Sequence, residues 1–338
     1  MTQNGTPSFP VEAPGADGFS QVATRPTWSA GDVRAAAAQL WDLDLPAVEH
    51  LVSERDQNWA VTTKVGAKFV FKIANCADSP ADIEFQQSMM ARTAATGVPT
   101  PQLVPTTSGE TLTVHRGHII WLIDFMPGTV LARVGRPSSE LFTEIGRTVA
   151  QLTIGLDGFD HPAAHRWLQW DVQHAPQVLS TYLSYVAGGG QRAAIERARA
   201  IFEEKVMPRL GELEFGVIHN DVNDHNLLVR GDNVTGVIDF GDAVHSIRIN
   251  DLAVTCAYTM LDRAEPLAVL AAITEGYQSI RPLTHLEREL LPDLIMTRLA
   301  TSVSISAYQA SRDGADDYLQ VSEAAAWNLI HQLNGARR

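Results

Sequence analysis

Cysteine is scarce in this chain: Cys76 and Cys256 are the only two among 338 residues. They stand far apart and in no metal-ligand spacing, which argues against a disulfide framework or a zinc site, and both thiols are expected to be small buried hydrophobes. Positive charge is in short supply too. Against 39 Asp and Glu there are 26 Lys and Arg, a formal net charge of −13. A nucleic-acid binder needs clustered cations to neutralise phosphates, so no such partner is expected. Long apolar runs are missing: the longest, around residues 118–126, is far too short to span a bilayer. Residues 1–18 also lack a basic stretch followed by an apolar one. The expectation is a cytoplasmic protein with no secretory leader and no membrane partner. What remains is ordinary, with 45% hydrophobic and 19% charged residues in a chain long enough for two lobes. The acidic balance is compatible with a cationic substrate, but it is read first as a solubilising surface and does not choose one.

Residues 1–24, rich in Gly, Pro, Thr, Ser and Gln, read as a flexible tail outside the fold. Order is expected from Trp28, and Val33, Ala36, Ala37, Leu40 and Trp41 recur at the spacing of one helix face. Short segments rich in β-branched and aromatic residues follow at 50–53, 59–65 and 68–74, with Gly66 as a hairpin turn. A helix over 80–95 carries Pro80 in its first turn and has Gly97 just beyond its end. Segments 102–106, 111–114 and 118–125 complete a small antiparallel sheet, and Arg116 and Gly117 supply the last turn. After Met126-Pro127-Gly128 the pattern becomes helical. Leu141, Ile145, Val149 and Leu152 form one stripe, and 177–186, 191–210, 266–279, 286–307 and 322–333 read similarly. Only 215–218, 226–229 and 234–240 read as local strands. The predicted class is α+β in two lobes: a strand-rich lobe over 25–127 and a mostly helical lobe over 128–338.

Residues 217–242, VIHNDVNDHNLLVRGDNVTGVIDFGD, carry the chemistry. His219-Asn220-Asp221 is followed by Asn226 five residues after the aspartate, then by Asp239-Phe240-Gly241. Phosphoryl transfer needs one carboxylate to orient the attacking hydroxyl and accept its proton, and hard oxygens to hold Mg²⁺ on the phosphates. Asp221 suits the first role, and Asn226 with Asp239 suits the second. Each residue alone would read as a turn former or a core histidine. In this order and between strands they read as a catalytic signature.

Upstream, alternation in Lys68-Phe69-Val70-Phe71-Lys72-Ile73 puts Lys72 on the face opposite Phe71 and Ile73. There it can reach the α- and β-phosphates of a nucleotide. Glu84, in the following helix, is the expected partner for Lys72, with Asp82 also available nearby. The stretch 53–62, SERDQNWAVT, occupies the place of a glycine-rich phosphate loop yet has no glycine. Ser53 and Asn58 are the expected side-chain donors there, beside backbone amides.

With these residues in view the chain resembles the aminoglycoside phosphotransferase superfamily, of protein-kinase-like fold, and within it the hydroxylysine-kinase-like group. The resemblance rests on Ser53-x-x-Asp56-x-Asn58-Trp59, the Phe69–Ile73 strand and Gly97-Val98-Pro99-Thr100-Pro101. Further matches are Phe125-Met126-Pro127-Gly128, the stretch from His161-Pro162 to Trp170-Asp171, and Val237-Ile238-Asp239-Phe240-Gly241-Asp242. It implies a nucleotide-binding N-terminal lobe, a catalytic and substrate-binding helical lobe, Mg²⁺, and ATP or GTP as donor, GTP being associated with hydroxylysine kinases. The implied acceptor is a hydroxyl of a small amine or hydroxy amino acid. An aminoglycoside, choline-like or homoserine-like acceptor is the neighbouring alternative, and a nucleotide-binding pseudokinase is the alternative of another class. Asn220 stands where many relatives have Gly, and Asn tolerates left-handed backbone better than most residues. Asp224 and Asp242 are candidates to bind a substrate ammonium, or else are turn and cap carboxylates. Trp170 and Asp171 either line the acceptor cleft or pack, and packing is preferred for Trp170. Oligomeric state is left open.

Overall fold

Two serines start the first two helices. In the computed structural model, which describes residues 25–53, 55–313 and 317–336, α1 (Ala30–Trp41) begins where Ser29 Oγ accepts the Asp32 N–H at 3.2 Å. The Asp32 carboxylate reciprocates on the Ser29 N–H at 2.8 Å. α2 (Pro80–Ala94) repeats this box with Ser79 and Asp82, and Pro80 sits in the first turn, where its missing N–H has no intrahelical partner to lose. The tail expected over 1–24 lies outside the described residues.

Between these helices run β1 (Ala47–Leu51), β2 (Gln57–Thr62) and β3 (Lys68–Ile73), and after α2 come β4 (Thr113–His115) and β5 (His118–Asp124). They pair antiparallel in the order β1-β2-β3-β5-β4. Arg116 and Gly117 take φ of 52° and 80°, the left-handed pair that a two-residue hairpin requires. The strand expected over 102–106 is reduced to one bridge, Leu103 to Ile123. Pro101 and Pro105 flank it and lack the N–H groups that would extend a ladder.

Strand alternation sorts the side chains into two cores. Trp59, Val61, Phe71, Ile73, Ile120 and Leu122 meet Val33, Ala36, Ala37 and Trp41 of α1. On the opposite face Ile119, Trp121 and Ile123 join Ile83, Phe85 and Met89 of α2 in a larger core that continues into the helical part. Burying a side chain as fully as Phe71 contributes about 1.5–3 kcal/mol. Lys72, between Phe71 and Ile73 in β3, falls on the α2 side of the sheet.

Beyond Asp124 the order is β6 (Thr129–Val130), α3 (Ser139–Gly155), α4 (Ala175–Tyr182), α5 (Gly189–Ile201), β7 (Phe215–Ile218), β8 (Leu227–Arg230), β9 (Asn233–Val237), β10 (Val244–Ile247), α6 (Asn250–Thr259), α7 (Pro266–Gln278), α8 (His285–Asp313) and α9 (Asp317–Ala336). β6, β8 and β9 form one small sheet, and β7 pairs with β10 in another. The fold is α+β, as expected. The helix expected over 191–210 ends earlier, at Ile201, and continues as a wider turn and a 3₁₀ segment that contains Pro208. Neither β10 nor α6 was expected. α6 is buried along almost its whole length, so it has no polar face from which a period could be read. Cys256 is buried within it, whereas Cys76 is exposed in the turn after β3, against the expectation of two buried thiols.

α3 and α7 are in contact through glycine. A Cβ on Gly146 would lie 2.0 Å from the Ile273 carbonyl oxygen, and one on Gly276 would lie 1.9 Å from that of Thr143. Gly276→Ala should therefore push the two helices apart and destabilise the protein by about 1–3 kcal/mol, read as a lower urea midpoint. An unchanged midpoint would contradict this packing.

Candidate active site

The polar loop between β7 and β8 is shaped from beneath by α6. Asn220 is fully buried and takes φ 64°, a left-handed turn that Asn supports better than other non-glycine residues. The Asp251 carboxylate, in the first turn of α6, accepts the Asn220 N–H at 2.7 Å and the His219 N–H at 3.1 Å. Burial pushes the Asp251 carboxyl up to about 6, against the pull of those two amides. Thr255 Oγ1, one turn on, donates to the Val222 carbonyl at 2.8 Å.

His219 links this loop to the next. Its Nδ1 accepts the Asp221 N–H at 3.3 Å, which leaves Nε2, 3.1 Å from the Ile238 carbonyl, as the donor. The ring is fully buried and packs on Phe240, with centroids 4.6 Å apart. Burial lowers its pKa to about 4, with Asp239 opposing, so the imidazole is neutral in the folded protein at neutral pH.

Asp221 sits at the centre. Its Oδ1 accepts Asn223 Nδ2 at 2.9 Å and Arg298 Nη2 at 3.0 Å, and its Oδ2 accepts Asn226 Nδ2 at 2.7 Å. Burial pushes the carboxyl well above the usual range, Arg298 pulls it back, and Asp242 and Asp239 push it further up. These three aspartates are therefore close enough to feel one another's charge. With its amide nitrogen spent on Asp221, Asn226 offers its Oδ1, which has no protein donor among the described residues. Asp239 is exposed, and among the described residues its carboxylate accepts one hydrogen bond, from the Gly241 N–H at 3.4 Å. Two hard oxygens with unused lone pairs fit an octahedral cation that keeps phosphate and water ligands. Among the described residues no cluster of three or more His, Cys, Asp or Glu makes a complete cage for a metal.

Lys72 enters from the sheet. It is buried, with Nζ 5.0 Å from the centroid of Trp121, and Asn58 on β2 lies opposite it in register. Asn58 Oδ1 is buried without a hydrogen-bond partner among the described residues. The expected pair with Glu84 is not formed: Glu84 is exposed, because α2 turns Ile83, Phe85, Gln86 and Gln87 inward. The carboxylate near Lys72 is Asp56 instead. Burial raises its pKa, Lys72 opposes, and Asp239 adds to the rise. Asp56 thus ties the sheet side of the site to the Asp239 turn, a role the sequence analysis did not assign to it.

The loop without glycine is held by polar contacts. Arg55 pairs with Asp78 at 3.0 Å, Asn75 Nδ2 donates to the Arg55 carbonyl at 2.9 Å, and the Ser53 carbonyl accepts from Arg25. Of the two candidate substrate carboxylates, Asp224 has His225 and Arg263 as its charged neighbours. Asp242 instead lies among Asp239, Arg166, Arg298 and Arg55, and burial raises its pKa. Asp171 is buried and accepts from Ser246 Oγ at 2.6 Å, a packing role, and Trp170 covers the Arg298 guanidinium at 4.7 Å.

Comparison with known proteins shows the family. A model of the phosphotransferase enzyme family matches residues 47–288, well over half of the chain. The chain belongs to that family. The phosphotransferase is 27% identical to the hydroxylysine kinase of Mus musculus over 94% of its own length and 93% of the relative's. To the homoserine kinase of Rhizobium etli it is 29% identical over 63% and 65% of the two lengths. Its fold is similar to that of a microcompartment-associated aminopropanol kinase (TM-score 0.72, 19% identity, 90% and 97% of the two chains). It is also similar to an amicoumacin kinase in complex with AMP-PNP and Ca²⁺ (TM-score 0.70, 14% identity, 90% and 94%). The phosphotransferase is a small-molecule kinase. None of its described helices is long and apolar enough to cross a membrane.

The buried imidazole gives a stability signature. Because the folded pKa of His219, about 4, lies below its ordinary 6.5, the unfolded chain binds a proton that the folded one refuses. Stability is lost from this source as pH falls from about 6.5 through about 4, by roughly 3 kcal/mol in all. His219→Gln should flatten the pH dependence of urea unfolding across that window by this amount. Parallel curves for parent and variant would refute the assignment.

Proposed function

We propose that this kinase transfers the γ-phosphate of ATP or GTP, with Mg²⁺, to the hydroxyl of a small hydroxy amino acid or amine, with hydroxylysine as the first candidate. The observation that carries the acceptor class is end-to-end likeness to the hydroxylysine kinase of Mus musculus, 94% of this chain against 93% of the relative, where the homoserine kinase of Rhizobium etli matches 63% and 65%. In this reading Asp221 orients the acceptor hydroxyl and takes its proton. Asn226 Oδ1 and the Asp239 carboxylate hold the cation, which neutralises charge on the β- and γ-phosphates when bound. Lys72 contacts the α- and β-phosphates, with Asn58 and the 53–58 loop beside it. Asp242, which forms no side-chain hydrogen bond or ion pair among the described residues and sits in the aspartate cluster around Asp221, receives an ammonium of the acceptor. Asp224, which lies outside that cluster and faces Arg263, stays out of it.

An acceptor panel of hydroxylysine, homoserine, an amino alcohol, choline and an aminoglycoside, each with ATP and GTP, should give the highest kcat/KM with hydroxylysine. Turnover confined to aminoglycosides would overturn the acceptor class. Asp221→Asn should lower kcat by about 10²–10⁴ and spare Mg-nucleotide affinity. Asp239→Ala should weaken Mg-dependent nucleotide binding itself. Asp242→Asn should raise KM for amine-bearing acceptors and leave nucleotide KM alone; an unchanged acceptor KM removes Asp242 from this role.

A further inference from the structure

Arg298 lies outside every motif of the catalytic segment, 77 positions beyond Asp221 on α8, and its guanidinium donates to the Asp221 carboxylate. It is 4% exposed, and its direction is fixed from several sides. Nε donates to Tyr258 Oη at 3.3 Å, Nη1 to the Trp170 carbonyl at 3.1 Å and Nη2 to Asp221 Oδ1 at 3.0 Å. The guanidinium plane is covered by Trp170 and Tyr258, with centroids 4.7 and 5.4 Å away. A guanidinium so enclosed cannot swing toward another partner without giving up bonds on three elements.

The consequence falls on one carboxylate. A carboxylate oxygen has two lone-pair positions. At Oδ1 both are taken, by Arg298 and Asn223; at Oδ2 one is taken, by Asn226. Only Oδ2 has room for a further donor. We propose that Arg298 is the positioning residue of the catalytic aspartate, occupying Oδ1 so that Oδ2 alone is presented to the acceptor hydroxyl. Arg298 does not itself touch either substrate. This rests on the reading of Asp221 as the group that receives the acceptor proton.

A positioning residue moves kcat and not affinity. With whichever acceptor the parent enzyme turns over, Arg298→Met should lower kcat by ~10²-fold, the scale of a small misplacement of a reacting group. The KM of acceptor and nucleotide should stay within about threefold, and Mg-nucleotide affinity measured by calorimetry should match the parent. Arg298→Lys can reach one of the three acceptors and should recover kcat only in part. Added guanidinium at millimolar concentration should restore turnover to Arg298→Ala and leave the parent unaffected. The ion pair is read separately. Arg298→Met should lower the urea midpoint more in the presence of Asp221 than in an Asp221→Asn background.

A raised acceptor KM with kcat intact would make Arg298 a substrate ligand and overturn the proposal, as would unchanged kinetics in both Arg298→Met and Arg298→Lys. If Arg298→Met does not fold, the lysine variant alone decides: parental kcat in it overturns the proposal, and reduced kcat at unchanged KM supports it. Full activity in Asp221→Asn would instead sink the reading of the base. The two failures therefore look different.

Discussion

One neutral imidazole determines whether this site exists. Asp221 and Asp239 come from different loops, and beside the Ile238 N–H donated to the Asn226 carbonyl they are joined through the two nitrogens of His219, one on the Asp221 amide and one on the Ile238 carbonyl. The ring can serve both only while uncharged and in a single tautomer, because a protonated imidazole has no acceptor to offer. Burial supplies that condition by making the charged form costly. Everything else in the loop is arranged around it: the left-handed turn at Asn220, the two amides collected by Asp251, and the carbonyl of Val222 held by Thr255.

The second constraint is electrostatic. The charge of Asp239 raises the carboxyls of Asp56, Asp221 and Asp242, Asp242 adds to the rise at Asp221, and the cations that oppose it are Lys72, Arg55, Arg166 and Arg298. Such a concentration of carboxylates is expensive in a partly buried cleft unless something positive completes it. The arginines complete it in part from the protein's side. In the function proposed above, a divalent cation and an ammonium of the acceptor complete it from the ligand side.

How far the sequence alone reaches can be judged residue by residue. Asp221, Asn226, Asp239 and Lys72 were legible because their spacing is fixed by local geometry: a loop between strands, and one side of an alternating strand. Asn58 was legible in part, since it faces Lys72 across β2 and β3. Glu84 was misjudged for a rotational reason, because the phase of α2 about its axis is set by tertiary packing of Ile83 and Phe85, which local sequence does not encode. Arg298 was invisible because it is one of three arginines on a long mixed helix, with no motif around it in sequence to reveal what it meets in space. β10 and α6 were missed through burial on all sides, which erases the amphipathic period. The lost strand at 102–106 had a readable cause in its two prolines, which outweighed the β-branched pattern.

In the proposed function the stretch 53–62 lies beside the phosphates of the donor. A glycine-rich loop is conformationally free before its ligand arrives and must give up that freedom on binding. Here the corresponding stretch has no glycine and is clasped by Arg55 on Asp78 and by Asn75 on the Arg55 carbonyl. Much of its ordering is thus done during folding, so the donor nucleotide meets a preformed rim and less affinity is lost to immobilising it. The ion pair in this clasp is partly buried, so ionic strength screens it less than it would an exposed pair and the rim keeps its shape across salt conditions.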